Sequence, residues 1–273
     1  DGKLITRIKS PHIGRVMQTF VDYGAPAEIT YAYNPHVGSN LMRNVIRRMS
    51  DDVVAQGADL RFRSRVEGLD LSGKQVQRVF LSNGERITGT GILLACGHSS
   101  GSFLRAIHAQ GVHVEPKSFA VGLRIEHSQE FINQWQYGSK TPPDELGPAQ
   151  YKLQTFWEKE KIGVYTFCMC PGGYVISSSP DRGQTVVNGM SNRQRRSPWA
   201  NAAVVCSVDS DRIEGSDPFK MMHFQSEIEK KVFASSAELG PAHKIPAQRL
   251  EDFLSGKKGV IKTRSSCPSG VVA

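Results

Sequence analysis

Two cysteines and three charged or titratable residues stand in spacings that make them the candidate catalytic side chains of this sequence. Cys168 and Cys170 are two residues apart in an apolar stretch, so a strand would place both on one face. Redox pairs usually have a Cys-x-x-Cys spacing at a helix N-terminus, where the helix dipole lowers the thiol pKa. A Cys-x-Cys pair on a strand would form a strained disulfide. We therefore interpret both as small core or pocket-lining residues, with redox chemistry as the alternative.

Arg124 and Glu126 have the same two-residue spacing and are followed by His127. The pair could bind an anionic substrate and supply a proton-transfer group, although such pairs more often form simple ion pairs on a sheet. His127 could act as an acid or base near neutral pH, with a structural role as the default interpretation. These five residues are the candidate catalytic residues, and no pattern singles out a catalytic base.

The elements that position these residues begin with a helix and a set of strands. Apolar residues recur at helical spacing over residues 40–56, with Ser39 as the expected N-cap and Gly57 as the expected C-cap. Alternation over residues 60–66 predicts a strand that carries arginines on one face. Asn83-Gly84 predicts a hairpin between strands at 76–81 and 86–88. Together these patterns predict a three-stranded meander.

A short apolar run over residues 92–96 follows the meander and ends at Gly97. The run lacks polar alternation, which is typical of a strand buried on both faces of a parallel sheet. Ligands bind beyond the carboxyl ends of such strands, and a glycine there would let a cofactor approach the backbone. Downstream we expect a helix over 99–110, strands at 119–125, 164–170, 174–179 and 185–188, and a helix over 219–236.

Composition limits the functional classes. The 273 residues carry a net charge of +8, and the arginine clusters could attract the phosphates of a dinucleotide or a nucleic acid. Solvated faces explain them more simply, and no basic stripe alternates with aromatic residues, so nucleic acid is not an expected partner. An odd number of cysteines, five, with no second pair at zinc-site spacing predicts a reducing, cytoplasmic setting without a structural metal site. No apolar run is long enough to predict a membrane span.

Several segments resemble known flavoproteins. Residues 88–97 (Thr-Gly-Thr-Gly-Ile-Leu-Leu-Ala-Cys-Gly) resemble the second FAD motif of the two-dinucleotide-binding-domain flavoproteins. Longer motifs resemble, in the same order, those of a family of uncharacterised FAD-dependent dehydrogenases in that superfamily. These motifs are Pro35-His36-Val37-Gly38, residues 119–127, residues 167–173, Asn188-Gly189-Met190-Ser191 and residues 246–254.

The resemblance implies an α/β fold in two parts. Residues 1–115 would be the central part of an FAD/NAD(P)-binding Rossmann-like domain, with a parallel sheet and a three-stranded β-meander. Residues 116–273 would be an inserted mixed α+β substrate domain whose end could return toward the FAD domain. No Gly-x-Gly-x-x-Gly loop follows a strand in this sequence, although an FAD pyrophosphate needs such a loop. We therefore expect an internal fragment of a longer protein, inactive on its own.

The function implied is that of an FAD-dependent oxidoreductase, a dehydrogenase with a small-molecule substrate and NAD(P)H as a candidate electron donor. A cofactor-free binding module and a nucleic-acid-associated flavoprotein are the alternatives. We expect several of the candidate catalytic residues, His127 not among them, to converge on one cavity with Asn188 and Met190. The candidate cofactor-binding residues are Val66, Ala95, Cys96, Gly97, His98 and His36. The candidate substrate-pocket residues are Gly172, Gly173, Asn188 and Met190.

Overall fold

The structure is a computed structural model that describes residues 2–6, 8–73, 75–97, 99–179, 181–241, 244–262 and 264–272. It is a mixed α/β fold with mainly antiparallel sheets. The helices are α1 (Ile13–Asp22), α2 (Ser39–Ala55), α3 (Gly101–Ala109), α4 (Gln129–Tyr137), α5 (Lys220–Leu239) and α6 (Leu250–Leu254). The strands are β1 (Val66–Ser72), β2 (Gln75–Leu81), β3 (Arg86–Thr88), β4 (Phe119–Ser128), β5 (Gln154–Trp157), β6 (Ile162–Cys170), β7 (Gly173–Ser177), β8 (Val187–Ser191), β9 (Trp199–Val208), β10 (Ile245–Pro246) and β11 (Val271–Val272).

The predicted helix over 40–56 is confirmed as α2, which packs with α1 around a small apolar core. Its N-cap is Gly38 with φ +90°, so the expected cap at Ser39 is wrong. The Ser39 hydroxyl instead donates to the backbone oxygen of Ser191, 3.3 Å away. Gly57, with φ +95°, follows the C-cap Gln56. The start of this helix is thus bound to a distant strand.

The predicted meander is confirmed as the antiparallel sheet β1-β2-β3. Its hairpin turns at Gly84, which has φ +86°, and Phe80 pairs with Arg86. The predicted strand over 60–66 is wrong, because β1 begins only at Val66. Val66 pairs with Leu81, the last residue of β2, so residues 60–65 have no strand beside them in this sheet. Without that partner, the alternating pattern is not enough to form a strand.

The predicted buried parallel strand over 92–96 is also wrong in this chain. These residues are irregular, and Leu93 is 91% exposed. A strand buried on both faces needs hydrogen-bonded neighbours on both edges, and none of the strands in the described ranges pairs with it. Parallel pairing instead joins the short strands β10 and β11.

The second half of the chain is built on the four-stranded sheet β4-β9-β6-β5 and the hairpin β7-β8. The strand predictions at 119–125, 164–170 and 174–179 correspond to β4, β6 and β7, and the helix over 219–236 to α5. The strand expected at 185–188 begins later, as β8. β6 and β9 lose their regular register between Phe167 and Cys170, where the chain turns toward β7. No helix in the described part of the chain is long and apolar enough to cross a membrane.

Candidate functional site

The segment before α2 docks against the end of β8. His36 is only 5% exposed, and its Nε2 lies 3.1 Å from the Ser191 hydroxyl. The backbone N–H of Arg193 donates to Asn40 Oδ1 at 2.9 Å. A Cβ at Gly38 would lie 2.6 Å from Arg193 Cα, so only glycine allows this close approach. Residues 35–38 and 188–191, two of the motifs that resemble the FAD-dependent dehydrogenases, are therefore in contact.

The loop after β8 holds two arginines beside this contact. Arg193 forms an ion pair with Glu28. Arg195 has φ +50°, a left-handed conformation that non-glycine residues rarely adopt. Gly172, with φ +52°, packs against the carbonyl group of Arg195, and its own carbonyl accepts from the Ser197 N–H at 3.3 Å. The tight turn at Gly172 thus fixes the backbone that carries Arg195.

These elements surround a cavity of about 370 Å³. Its lining includes the charged or titratable side chains Glu28, His36, Asp144, Glu145, Arg193 and Arg195. His36 Nδ1 and Arg195 Nε are both buried and have no hydrogen-bond partner in the part of the chain that the structure describes. Buried polar atoms are nearly always satisfied, so two orphaned ones in residues that line the same cavity are an unusual feature of its wall.

Burial and neighbouring charges set the charge states here. Burial, reinforced by the positive charges of Arg195 and Lys3, lowers the pKa of His36 to about 4, so this imidazole is neutral near pH 7. Burial and the nearby Arg193 lower the pKa of Arg195, but a guanidinium stays protonated in proteins. The cavity therefore presents a neutral imidazole and a cationic guanidinium.

A second polar cluster joins β4, β8 and β9. Arg124 donates to Asn201 Oδ1 at 2.7 Å and to Asn188 Oδ1 at 3.4 Å. A Cβ at Gly189 would lie 2.7 Å from the sulfur of Cys170, which is fully buried. Arg124, Asn188 and Cys170, predicted to converge, are therefore close together.

Other candidate residues lie elsewhere or have different partners. Glu126 accepts from the backbone N–H and hydroxyl of Ser266. His127 Nδ1 lies 2.8 Å from the Ala200 carbonyl oxygen, and burial lowers the pKa of His127. Both contacts are of the kind that hold a structural side chain.

The remaining pocket candidates have different neighbours. Met190 Sδ is 3.7 Å from the Ser39 hydroxyl. A Cβ at Gly173 would lie 2.8 Å from Cys170 Cβ, so this glycine is tightly packed. Cys168 lies in β6, but its side chain is outside what the structure describes.

The candidate cofactor-binding residues do not form a closed FAD site. Val66 opens β1. Ala95, Cys96 and Gly97 are exposed in irregular backbone, and a Cβ at Gly97 would meet open space. His98 lies outside the described residues. Because no cradle surrounds Gly97 and the sequence lacks a Gly-x-Gly-x-x-Gly loop, the described residues of this chain do not fit FAD by themselves.

Sequence reasoning missed the importance of Arg195 and Asn201. Arg195 belongs to a basic cluster whose pattern indicates a solvated face, but its Nε is buried. Asn201 is fully buried in β9, and a lone asparagine in an apolar strand was the available signal. Ser191 lies within the motif at 188–191, and its spacing alone does not indicate the contact with His36.

Comparison with known proteins identifies the class. The sequence model of the family "FAD-dependent protein, C-terminal domain-like" matches residues 118–273. The chain belongs to this family. It is 37% identical over 257 residues to an uncharacterised protein of Clostridium beijerinckii, and the alignment covers 94% of this chain and 48% of that protein. The chain thus spans about half the length of this curated relative.

Proposed function

We propose that the complete protein is an FAD-dependent oxidoreductase that acts on a small-molecule substrate, with NAD(P)H as a candidate electron donor. The observation that carries this proposal is the match to an FAD-dependent family over residues 118–273. The similarity of residues 88–97 to a flavoprotein FAD motif supports it from the other half of the chain. A flavin supplies hydride-transfer chemistry, so the protein needs only to bind, orient and shield the reactants.

Within this proposal, residues 1–115 are part of the FAD-binding domain and residues 116–273 are the substrate domain. The exposed run at 92–97 is the surface on which further strands of a Rossmann-like sheet would pair. An apolar stretch whose Leu93 is 91% exposed is costly to leave in water. Covering it with paired strands would convert this stretch into the buried strand that its sequence pattern indicates.

The cavity at His36 and Arg195 is the proposed substrate site. Its volume of about 370 Å³ falls in the range of small-molecule pockets. Its walls come from both parts of the chain, His36 from the first and Arg195 from the second. Sites between two such parts are common in enzymes. The oriented, partly desolvated polar atoms would hold a substrate in a fixed pose.

Spectroscopy of the complete protein tests this function. Purified or FAD-reconstituted protein should show flavin absorbance, and anaerobic NADH or NADPH should bleach it. If chemical reductants bleach the flavin but neither NADH nor NADPH does, then NAD(P)H is not the electron donor. The flavoprotein assignment would still stand. A colourless protein after reconstitution would favour the cofactor-free binding module. Nucleic-acid binding with a steep salt dependence would favour the nucleic-acid-associated alternative.

A further inference from the structure

The cavity beside α2 is lined by a partly buried cation, Arg195, that has no acidic partner in the described residues. Arg193 is neutralised by its ion pair with Glu28. No carboxylate in the described residues forms an ion pair with Arg195, whose Nε is buried and orphaned. A charge that is partly removed from water is disfavoured unless it gains a partner. The fold therefore keeps an unpaired guanidinium in a cavity that a small molecule can enter.

The adjacent imidazole adds a second, directional contact. His36 is 5% exposed, and its Nδ1 lacks a partner while its Nε2 is held near the Ser191 hydroxyl. That contact orients the ring. Arg195 and His36 line the same cavity, so one ligand group could contact both.

We propose that Arg195 and His36 form a binding site for the carboxylate group of a small organic molecule. Arg195 would hold the carboxylate through its guanidinium, in the two-pronged geometry that guanidinium and carboxylate share. The His36 Nδ1–H group would donate a hydrogen bond to the same carboxylate, which can only accept. That this carboxylate belongs to the substrate of the flavin reaction rests on the proposed function.

The charges at the rim select a monoanion. Glu28 is already paired, but Asp144 and Glu145 are exposed and also line the cavity. Their negative charge would repel a phosphate dianion more strongly than a carboxylate. The same two side chains would attract a cationic group at the other end of the ligand. An amino acid therefore fits the charge pattern better than a simple fatty acid or a phosphate ester.

The backbone around Arg195 is built for a fixed position. Its φ of +50° is costly for an arginine, and the surrounding packing must maintain it. Gly172 presses against its carbonyl, and the Arg195 N–H donates to the Asn192 carbonyl at 3.1 Å. A side chain on a flexible surface loop would need none of these contacts.

Ligand titration of the complete protein tests this site. Isothermal titration with alanine, benzoate and inorganic phosphate should show saturable binding of alanine, weaker binding of benzoate and the weakest binding of phosphate. Arg195→Gln should weaken alanine binding at least about tenfold, because a charge-assisted, two-pronged contact is lost. Arg195→Lys keeps the charge but not the fork and should fall in between. Arg196→Gln, a change at the exposed neighbouring arginine, should bind like the unaltered protein.

The results separate this site from the flavin assignment. Binding that falls in Arg195→Gln but not in Arg196→Gln supports the site, whether or not the protein carries flavin. The proposed site is overturned if neither alanine nor benzoate binds saturably. It is also overturned if the folded Arg195→Gln and Arg195→Lys variants bind as well as the unaltered protein. Phosphate binding tighter than either carboxylate overturns the choice of ligand class. A colourless protein that still binds alanine would overturn the proposed function and leave this site intact.

Discussion

Replacing Gly172 with alanine should destabilise the protein by more than the cost of placing an alanine at a positive φ. A residue with a Cβ at φ +52° is strained by about 1–2 kcal/mol. The new Cβ would also overlap the Arg195 carbonyl and lie 2.8 Å from Arg195 Cα. Overpacking of this kind typically costs about 1–3 kcal/mol more. The expected loss in the free energy of unfolding is therefore about 2–5 kcal/mol.

Gly138→Ala is the matched control for this prediction. Gly138 ends α4 with φ +70°, and a Cβ there would meet nothing within 4 Å. Its substitution should show only the backbone term, about 1–2 kcal/mol. Urea unfolding followed by tryptophan fluorescence measures both variants. Equal losses for the two variants would refute the packing of Gly172 against the Arg195 loop, and a greater loss for Gly172→Ala should come with weaker carboxylate binding.

Three further substitutions have distinct expected outcomes. Because the folded pKa of His36 is depressed from 6.5 to about 4, the unfolded state binds the proton first as pH falls. At most about 3 kcal/mol of stability should be lost between these values, and thermal melts of His36→Gln should lack that loss; an unchanged pH profile would contradict it. Gly189→Ala places a Cβ 2.7 Å from Cys170 Sγ and should lower the free energy of unfolding in urea by about 1–3 kcal/mol. Gly163→Ala is the control, because a Cβ there meets nothing within 4 Å and should not show this steric cost. Ser266→Ala removes a hydroxyl donor to Glu126 and should lower the free energy of unfolding by about 1–3 kcal/mol; a variant as stable as the unaltered protein would show that this contact contributes nothing.

Local patterns predicted the elements whose partners are close in sequence. Helix α2 follows from the spacing of its apolar residues, and the meander follows from the Asn83-Gly84 turn, because β2 and β3 pair across that turn. The predictions at 60–66 and 92–96 failed for the opposite reason. A strand also needs neighbours, and pairing at these positions depends on chain far away in sequence or outside these residues.

Part of the candidate site could also be predicted. The resemblance-bearing segments supplied His36, Arg124, Cys170 and Asn188, and the structure brings the last three together. Arg195 could not be selected, because a basic cluster looks the same in sequence whether it is solvated or buried. Its backbone packs against the left-handed residue Gly172, a contact between distant residues that no spacing rule reveals.

A flavin titration tests the central claim most directly. FAD is added to the complete protein and, in parallel, to this 273-residue chain, and flavin fluorescence and absorbance report the bound fraction. The account predicts stoichiometric binding by the complete protein and weak or no binding by the chain, since several charge-assisted contacts of about 1.5–3 kcal/mol each are missing without a pyrophosphate loop. Tight binding by the chain alone would show that it contains a phosphate site that we have not located. Absence of binding by the complete protein would contradict the flavoprotein assignment itself.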